Sequence, residues 1–227
     1  MTSKNLKKYI NDNVKEYYHS SGLYNSLIYK KLSRSNNLSK EQSLEKNFSK
    51  IRITLEKFID NKNDLIPSNF NTNSKIMIIG DMPSLNDHKN KNIFSDQSGE
   101  LLKKMLKAIS INIEDVYLTN ILPFFSKEQK NIYNNFKVFL KKSITEHISI
   151  IDPQIILLLG SIPIEVLFDN EFSIYNNRGQ WINFKSNNKS IFTLCTFHPN
   201  FLIQQPNQKK NAWIDLQLFQ EKLKNII

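Results

Sequence analysis

The segment IMIIGDMPS, residues 76–84, joins a short apolar run to an acidic loop. The run lacks the alternation of apolar and polar residues found in half-buried strands, and a continuous apolar run is typical of a parallel strand buried on both faces. It stops at Gly80, after which an aspartate and a proline follow within three residues. In open α/β sheets, ligands bind in the crevice outside the carboxyl ends of the strands. We therefore expect this loop to border a ligand site.

Three further apolar runs predict buried strands, over residues 116–120, 155–160 and 191–197. Apolar residues at helical spacing predict helices between and after them, over residues 101–109, 136–144, 161–168 and 213–223. Strands that alternate with helices indicate βαβ units. The predicted fold is a three-layer α/β/α sandwich around a mainly parallel, four-stranded sheet. Residues 171–190 interrupt this pattern as a loop or a small hairpin.

The first part of the chain has a different pattern, which is polar and helical. Apolar residues recur at helical spacing from Leu44 onward, whereas residues 33–43 are expected to form a loop and residues 60–74 a linker. We therefore expect an N-terminal helical extension over residues 1–70 and an α/β/α domain over residues 71–227.

Composition narrows the class of protein. The chain has 227 residues, of which 40% are apolar, including 15 Phe, and this is enough for a domain with a sizeable core. It has no apolar run of about 18 residues, and its polar start does not resemble a signal peptide. Its single cysteine, Cys195, excludes a disulfide framework and a cysteine metal cage. We expect a monomeric, cytoplasmic protein that uses no metal or other cofactor and does not bind membranes.

The net charge of +10 indicates an anionic partner. Nucleic acid is the commonest partner of so basic a domain. A basic surface without a partner, or an AT-rich genome that favours lysine codons, would also account for the charge.

Polar side chains follow all four predicted strands: Asp81, Asn120, Ser161 and His198. Because the carboxyl ends of parallel strands meet at one edge of the sheet, these side chains are expected to converge there. Each one also has a purely structural interpretation, as a helix cap, an Asx turn or a partner for loop backbone.

Other motifs are absent or carry less information. The segment LGSIP lacks the second glycine of a hydrolase nucleophile elbow, and neither a Walker motif nor GxGxxG occurs. His19, His88 and His147 do not follow strands, and we expect them on the surface.

Six segments in order resemble motifs of the uracil-DNA glycosylase superfamily, specifically its fourth, iron–sulfur family: IMIIGDMPS, IFSDQSGELLKKML, VYLTNILPFF, DPQIILLLGSIPIEVL, NRGQW and TFHPNFLIQQPNQKKNAWIDLQ. The resemblance covers residues 75–218. It implies hydrolysis of the N-glycosidic bond of uracil, or of a related deaminated base, which is flipped out of DNA and leaves an abasic site.

The resemblance also implies roles for single residues. Phe94 would stack on the base, Asn120 would read its edge, and His198 would stabilise the leaving base near O2. The remaining catalytic residues would be Asp81 and Asp87, of which Asp87 would help to position water. The loop from Gly80 to Pro83 would wrap the base and sugar, with Gly80 and Met82 as substrate-binding residues.

DNA contacts follow from the same resemblance. Residues 199–206 would probe the minor groove, and Lys209 and Lys210 would contact phosphate, which positions DNA without reading its sequence. The expected contact residues are Ser161, Pro199, Asn200, Gln204 and Lys209.

The chain departs from the family at several positions. The four cluster cysteines are missing, and Phe124 stands at one of their places, so we expect no iron–sulfur cluster. The N-terminal helices are a candidate substitute for that structural role. Met82 replaces a small residue in the first motif, Asp96 replaces a glycine, and Gln204 replaces an arginine. A catalytically impaired, DNA-binding member of the superfamily is therefore the alternative to an active glycosylase.

Overall fold

The structure, a computed structural model, describes residues 39–59, 65–69, 71–168, 172–186 and 189–226. These residues belong to one compact unit, Ser39–Ile227. Its helices are α1 Lys40–Thr54, α2 Leu85–Asn90, α3 Gln97–Ala108, α4 Gln129–Ile151, α5 Ser161–Phe168, α6 Ile174–Asn177, α7 Pro199–Gln204 and α8 Lys209–Lys224. Its strands are β1 Ile76–Gly80, β2 Tyr117–Asn120, β3 Ile155–Leu159, β4 Trp181–Ser186 and β5 Lys189–Thr196. None of the described helices is long and apolar enough to cross a membrane.

The five strands form one sheet in the order β2-β1-β3-β5-β4. The pairs β1–β2, β1–β3 and β3–β5 are parallel, which confirms the mainly parallel sheet. The expectation of four strands was wrong by one, because β4 pairs antiparallel with β5. Buried and exposed residues are mixed along β4, so the sequence of this strand has no continuous apolar run that would predict it. Residues 171–190 were expected as a loop or a small hairpin. They contain α6 and β4, and the hairpin that β4 forms with β5 extends to Thr196.

Helices cover both faces of the sheet, which confirms the three-layer sandwich. Successive residues of β1 point to opposite faces. Met77 and Ile79 join a core cluster with residues of α1, α4 and α5. Ile76 and Ile78 join a second cluster with residues of α3 and α8. All five residues of β1 are therefore buried, as the apolar run predicts.

Helix α1 begins earlier than expected. Ser39 and Gln42 form a capping box, in which each side chain accepts a hydrogen bond from the backbone N–H of the other residue. Residues 40–43, expected in a loop, are therefore helical. Phe48 packs in the same core cluster as the sheet, and Nδ2 of Asn47 donates to the carbonyl of Ser143 over 3.1 Å. Residues 1–38, 60–64 and 70 of the predicted extension lie outside the described residues.

The predicted linker covers the outer edge of β2. The N–H of Asn69 donates to the carbonyl of Leu118 over 3.2 Å, and the N–H of Leu118 donates to Oδ1 of Asn69 over 2.9 Å. Ser68 forms an isolated antiparallel bridge with Thr119. The described part of this segment thus satisfies backbone groups that an uncovered edge strand would leave unpaired.

His147 lies in the core, so its expected surface position was wrong. The side chain is 2% exposed, and its Nε2 atom forms a 2.6 Å hydrogen bond with the hydroxyl of Tyr117. The ring packs edge to face on Phe48, with centroids 5.2 Å apart. Burial lowers the pKa of His147 to about 3. Of the other two histidines that were expected on the surface, His88 is half-buried and His19 lies outside the described residues.

Candidate functional site

Four of the predicted site residues meet at the carboxyl edge of the sheet: Asp81, Phe94, Asn120 and His198. Gly80, directly before Asp81, pairs with Asn120 in the register of β1 and β2. The rings of Phe94 and His198 stack with centroids 5.8 Å apart and 28° between their planes. Nε2 of His198 lies 3.6 Å from Oδ1 of Asp81. We call this group the strand-end site.

Gly80 permits the close approach of two site side chains. A Cβ atom at residue 80 would overlap Oδ1 of Asn120 and would lie 2.9 Å from Cζ of Phe94. Any larger residue at this position would therefore push the amide or the ring away. The glycine at the end of β1 is required by this contact.

The loop that carries Phe94 is held by Asp87, which is 3% exposed. One carboxylate oxygen of Asp87 accepts a hydrogen bond from the N–H of Ser84 over 2.9 Å. The other accepts hydrogen bonds from the hydroxyl and the backbone N–H of Ser95. Asp87 thus joins the two ends of the loop between Ser84 and Ser95. Both of its oxygens are engaged in positioning Phe94.

His198 is the N-cap residue of α7, and its Nδ1 atom accepts a hydrogen bond from the N–H of Asn200 over 3.1 Å. Because a backbone N–H can only donate, Nδ1 carries a lone pair and the ring proton is on Nε2. The ring is thereby fixed as a donor through Nε2. Gly160, with a φ of +89°, lies beside this ring, and a Cβ atom there would be 3.1 Å from Cβ of His198.

Two buried polar atoms of the strand-end site have no hydrogen-bond partner among the described residues: Oδ1 of Asn120 and Nε2 of His198. The 3.6 Å separation between Nε2 and Asp81 is longer than a hydrogen bond. A buried polar group without a partner costs about 1–3 kcal/mol. One free acceptor and one free donor at the same edge therefore indicate a polar ligand that supplies both partners.

The backbone of Asp81 is held by a residue that the sequence analysis missed. The carbonyl of Asp81 accepts hydrogen bonds from the N–H of Leu122 over 2.9 Å and from the hydroxyl of Tyr133 over 3.1 Å. Burial, with a contribution from the charge of Asp81, raises the pKa of Tyr133 well above its ordinary value, so its hydroxyl stays a donor. Met82 is half-buried against the core, and its N–H donates to Oδ1 of Asp81 over 2.7 Å.

The expected DNA-contact residues follow β3 and β5. Ser161 begins α5 directly after Gly160, and Pro199 is the buried first residue of α7. Exposed side chains occupy the other three positions: Asn200, Gln204 and Lys209. The residues expected to contact DNA thus come after the carboxyl ends of β3 and β5, at the edge of the sheet that holds the strand-end site.

A buried ion pair joins two of the quoted motif segments, NRGQW and the end of TFHPNFLIQQPNQKKNAWIDLQ. The guanidinium of Arg178 donates from Nε over 3.0 Å and from Nη2 over 2.6 Å to the carboxylate of Asp215, which is 1% exposed. Asp215 also accepts from the hydroxyl of Thr196 over 2.7 Å. These bonds fix the end of β5, from which His198 follows, against α8. No periodic pattern in the sequence indicates this pair.

The residues do not fit an iron–sulfur cluster. Such a cluster needs four thiolate ligands, and the chain has one cysteine. Cys195 is buried in β5, where its Sγ atom donates to the carbonyl of Asn177 over 3.1 Å and burial raises its pKa to about 12. Phe124 is fully buried in the core cluster with α1 and α4. In the described part of the chain, no three His, Cys, Asp or Glu side chains are placed to hold a metal ion.

Comparison with known proteins relates the chain to one superfamily. The family model of the Uracil DNA glycosylase superfamily matches residues 67–217. The chain is 26% identical to the Type-4 uracil-DNA glycosylase of Sulfurisphaera tokodaii, over 70% of this chain and 75% of the relative. It is 26% identical to that of Thermotoga maritima, over 63% and 74%, and 23% identical to that of Archaeoglobus fulgidus, over 69% and 80%.

Proposed function

The chain belongs to the Uracil DNA glycosylase superfamily, and from this membership and the strand-end site we propose that it removes uracil, or a related deaminated base, from DNA. The reaction breaks the bond between C1′ of the sugar and N1 of the base. Water adds to C1′, and an abasic site remains. The observation that carries the proposal is the pair of unsatisfied buried atoms, Oδ1 of Asn120 and Nε2 of His198.

Recognition uses the flipped base. A base inside a duplex cannot reach the strand-end site, so the nucleotide must leave the stack. The ring of Phe94 offers an aromatic face to the pyrimidine. The free Oδ1 of Asn120 accepts the N3–H of uracil, and the amide NH₂ donates to O4. Cytosine lacks that N3–H and has an amino group in place of O4, so the same amide orientation discriminates against it.

His198 acts on the leaving base. As the bond to C1′ breaks, negative charge collects on the pyrimidine, and the Nε2–H of His198 donates to O2. The hydrogen bond from Asn200 holds the neutral ring in the tautomer that does this. The carboxylate of Asp81 lies 3.6 Å from Nε2. It stabilises the positive charge that develops on the sugar and orients the attacking water.

Asp87 has a positioning role in this proposal. Its two carboxylate oxygens hold Ser84 and Ser95, so the residue places Phe94 and does not activate water.

DNA binding rests on charge and on exposed side chains. The net charge is +10, and Lys209 and Lys210 are exposed in the first turn of α8. Their contacts with phosphate would make binding weaken as salt increases. We further propose that the protein acts as a monomer in the cytoplasm, which size-exclusion chromatography and cell fractionation test.

A cleavage assay tests the function. The protein is incubated with a uracil-containing single-stranded oligonucleotide, and alkali then cuts the abasic sites. We expect cleavage by the wild type and by Ile53→Ala, an exposed control, and loss of about 10²–10³-fold in His198→Ala, the range for removal of one such donor. Asn120→Ala should also lose activity while both variants still bind DNA. A wild type that binds DNA in a salt-sensitive manner without cleaving it would establish the catalytically impaired alternative.

A further inference from the structure

An exposed aromatic side chain contacts the residue that precedes His198 and has no part in the chemistry above. Tyr175, in α6, is 68% exposed. Its ring meets the ring of Phe197 at a centroid distance of 5.9 Å and an angle of 63°. Phe197 directly precedes His198, so Tyr175 contacts the chain neighbour of the residue that is proposed to meet the leaving base.

The ring of Tyr175 packs against a side chain that is itself buried and held by several contacts. Phe197 is 4% exposed and packs on Phe201 of α7, with centroids 4.9 Å apart. The guanidinium of Arg178 lies 5.4 Å from the centroid of Phe197, and this guanidinium is held by the buried carboxylate of Asp215. The ring of Tyr175 is therefore exposed to solvent on one side and packs against a buried side chain on the other.

Basic side chains lie close to this aromatic cluster. Arg178, which packs on Phe197, also donates a hydrogen bond to the carbonyl of Asn211 in the first turn of α8. Lys209 and Lys210, in the same turn, are exposed. Exposed rings together with exposed lysines are the combination with which proteins bind single-stranded nucleic acid, in which bases stack on aromatic rings and cations contact the phosphates.

We propose that Tyr175 stacks on an unpaired base that neighbours the flipped nucleotide, so that the protein prefers single-stranded DNA. This inference rests on the proposed function, since it assumes that DNA enters the strand-end site. Bases in a duplex already stack on their neighbours and hide both faces. Only single-stranded DNA can place a base on the ring of Tyr175, so the ring adds nothing to the affinity for duplex DNA.

The test compares four proteins: the wild type, Tyr175→Ala, Tyr175→Phe and the exposed control Ile53→Ala. Fluorescence anisotropy measures their binding to a labelled single-stranded 15-mer without uracil and to the matched duplex. Stacking of a base on an aromatic ring is worth about 1–3 kcal/mol, so Tyr175→Ala should weaken single-strand binding by about 5- to 100-fold. Tyr175→Phe keeps the ring and should bind as the wild type does. Duplex binding should change by less than about twofold, since the proposed contact is absent there.

The inference and the proposed function fail in different ways. Single-strand binding by Tyr175→Ala at the wild-type level, or an equal loss with duplex, overturns the inference even if the wild type releases uracil. A selective loss of single-strand binding supports the inference even if no protein releases uracil. Where uracil is released, Tyr175→Ala should raise KM on single strands and leave kcat unchanged, because the ring does not touch the reacting atoms.

Discussion

The backbone carbonyl of Phe94 lies so close to Gly99 that a Cβ atom at residue 99 would overlap it. Phe94 has a φ of +51°, an uncommon value for a large residue. Close packing against the first turn of α3 and the clamp formed by Asp87 hold the loop in this conformation. The ring of Phe94 consequently faces both Gly80 and His198.

Gly99→Ala should destabilise the protein and reduce uracil release. In an ordinary helix interior this change stabilises by about 0.5–1 kcal/mol, so the expected effect has the opposite sign. Urea unfolding and single-turnover release measure the two consequences. Glu100→Ala is the matched control, because Glu100 is exposed in the same turn. A more stable and fully active Gly99→Ala would show that this contact does not position Phe94.

Tyr133→Phe should lower uracil release without unfolding the protein. It removes the hydroxyl that donates to the carbonyl of Asp81, a loss of about 0.5–1.5 kcal/mol for one hydrogen bond. If the bond orients the first motif in the transition state, release should slow by about 2- to 10-fold. Single-turnover rates measure this, with the exposed neighbour Asn134→Ala as the control. An unchanged rate with reduced stability would assign Tyr133 a structural role only.

Asp215→Ala should lower the free energy of unfolding by about 3–5 kcal/mol, because it leaves the charge of Arg178 without its buried partner. Lys50→Ala breaks an ion pair with Glu146 whose side chains are 47% and 37% exposed. Exposed pairs contribute about 0–1 kcal/mol, so Lys50→Ala should change little. Urea denaturation of both variants measures the difference. Equal effects would mean that the pair with Asp215 is not the fixed connection between β5 and α8 described above.

Stability should fall as the pH decreases below about 6.5, because His147 has an ordinary pKa of 6.5 and a pKa of about 3 in the folded protein. Between these values the unfolded chain binds a proton that the folded chain does not, so lowering the pH favours unfolding. The contribution approaches about 1.4 kcal/mol per pH unit. His147→Gln keeps a hydrogen-bonding group for Tyr117 but does not titrate. Its unfolding free energy, measured by urea denaturation across this range, should have a smaller pH slope, and identical slopes would contradict the assignment.

Much of the fold was predictable from local patterns. Continuous apolar runs located β1, β2, β3 and β5, and helical spacing located α3, α4, α5 and α8. Neither β4 nor the start of α1 was predicted from these patterns. The capping box of α1 lies in a polar segment, and β4 is an edge strand with mixed burial. Neither contains the apolar run or spacing from which the other elements were predicted.

The site was predictable to the extent that it follows strand ends. Asp81, Asn120 and His198 each come directly after a buried run or end it, and the topology of a parallel sheet brings such positions together. The resemblance to the superfamily added Phe94, which lies far along the loop after β1.

The sequence alone determined which polar residues follow the carboxyl ends of the strands, because the spacing of apolar residues that marks a strand is a local property of the chain. Tertiary structure assigned their partners: Tyr133 reaches the carbonyl of Asp81 from a position 52 residues away, and His147 meets Tyr117 across 30 residues. The packing of Met82 in the first motif, GDMPS, likewise depends on distant core residues. Hydrogen-bond partners and burial depend on which remote segments come into contact, and the local spacing of apolar residues carries no information about those contacts.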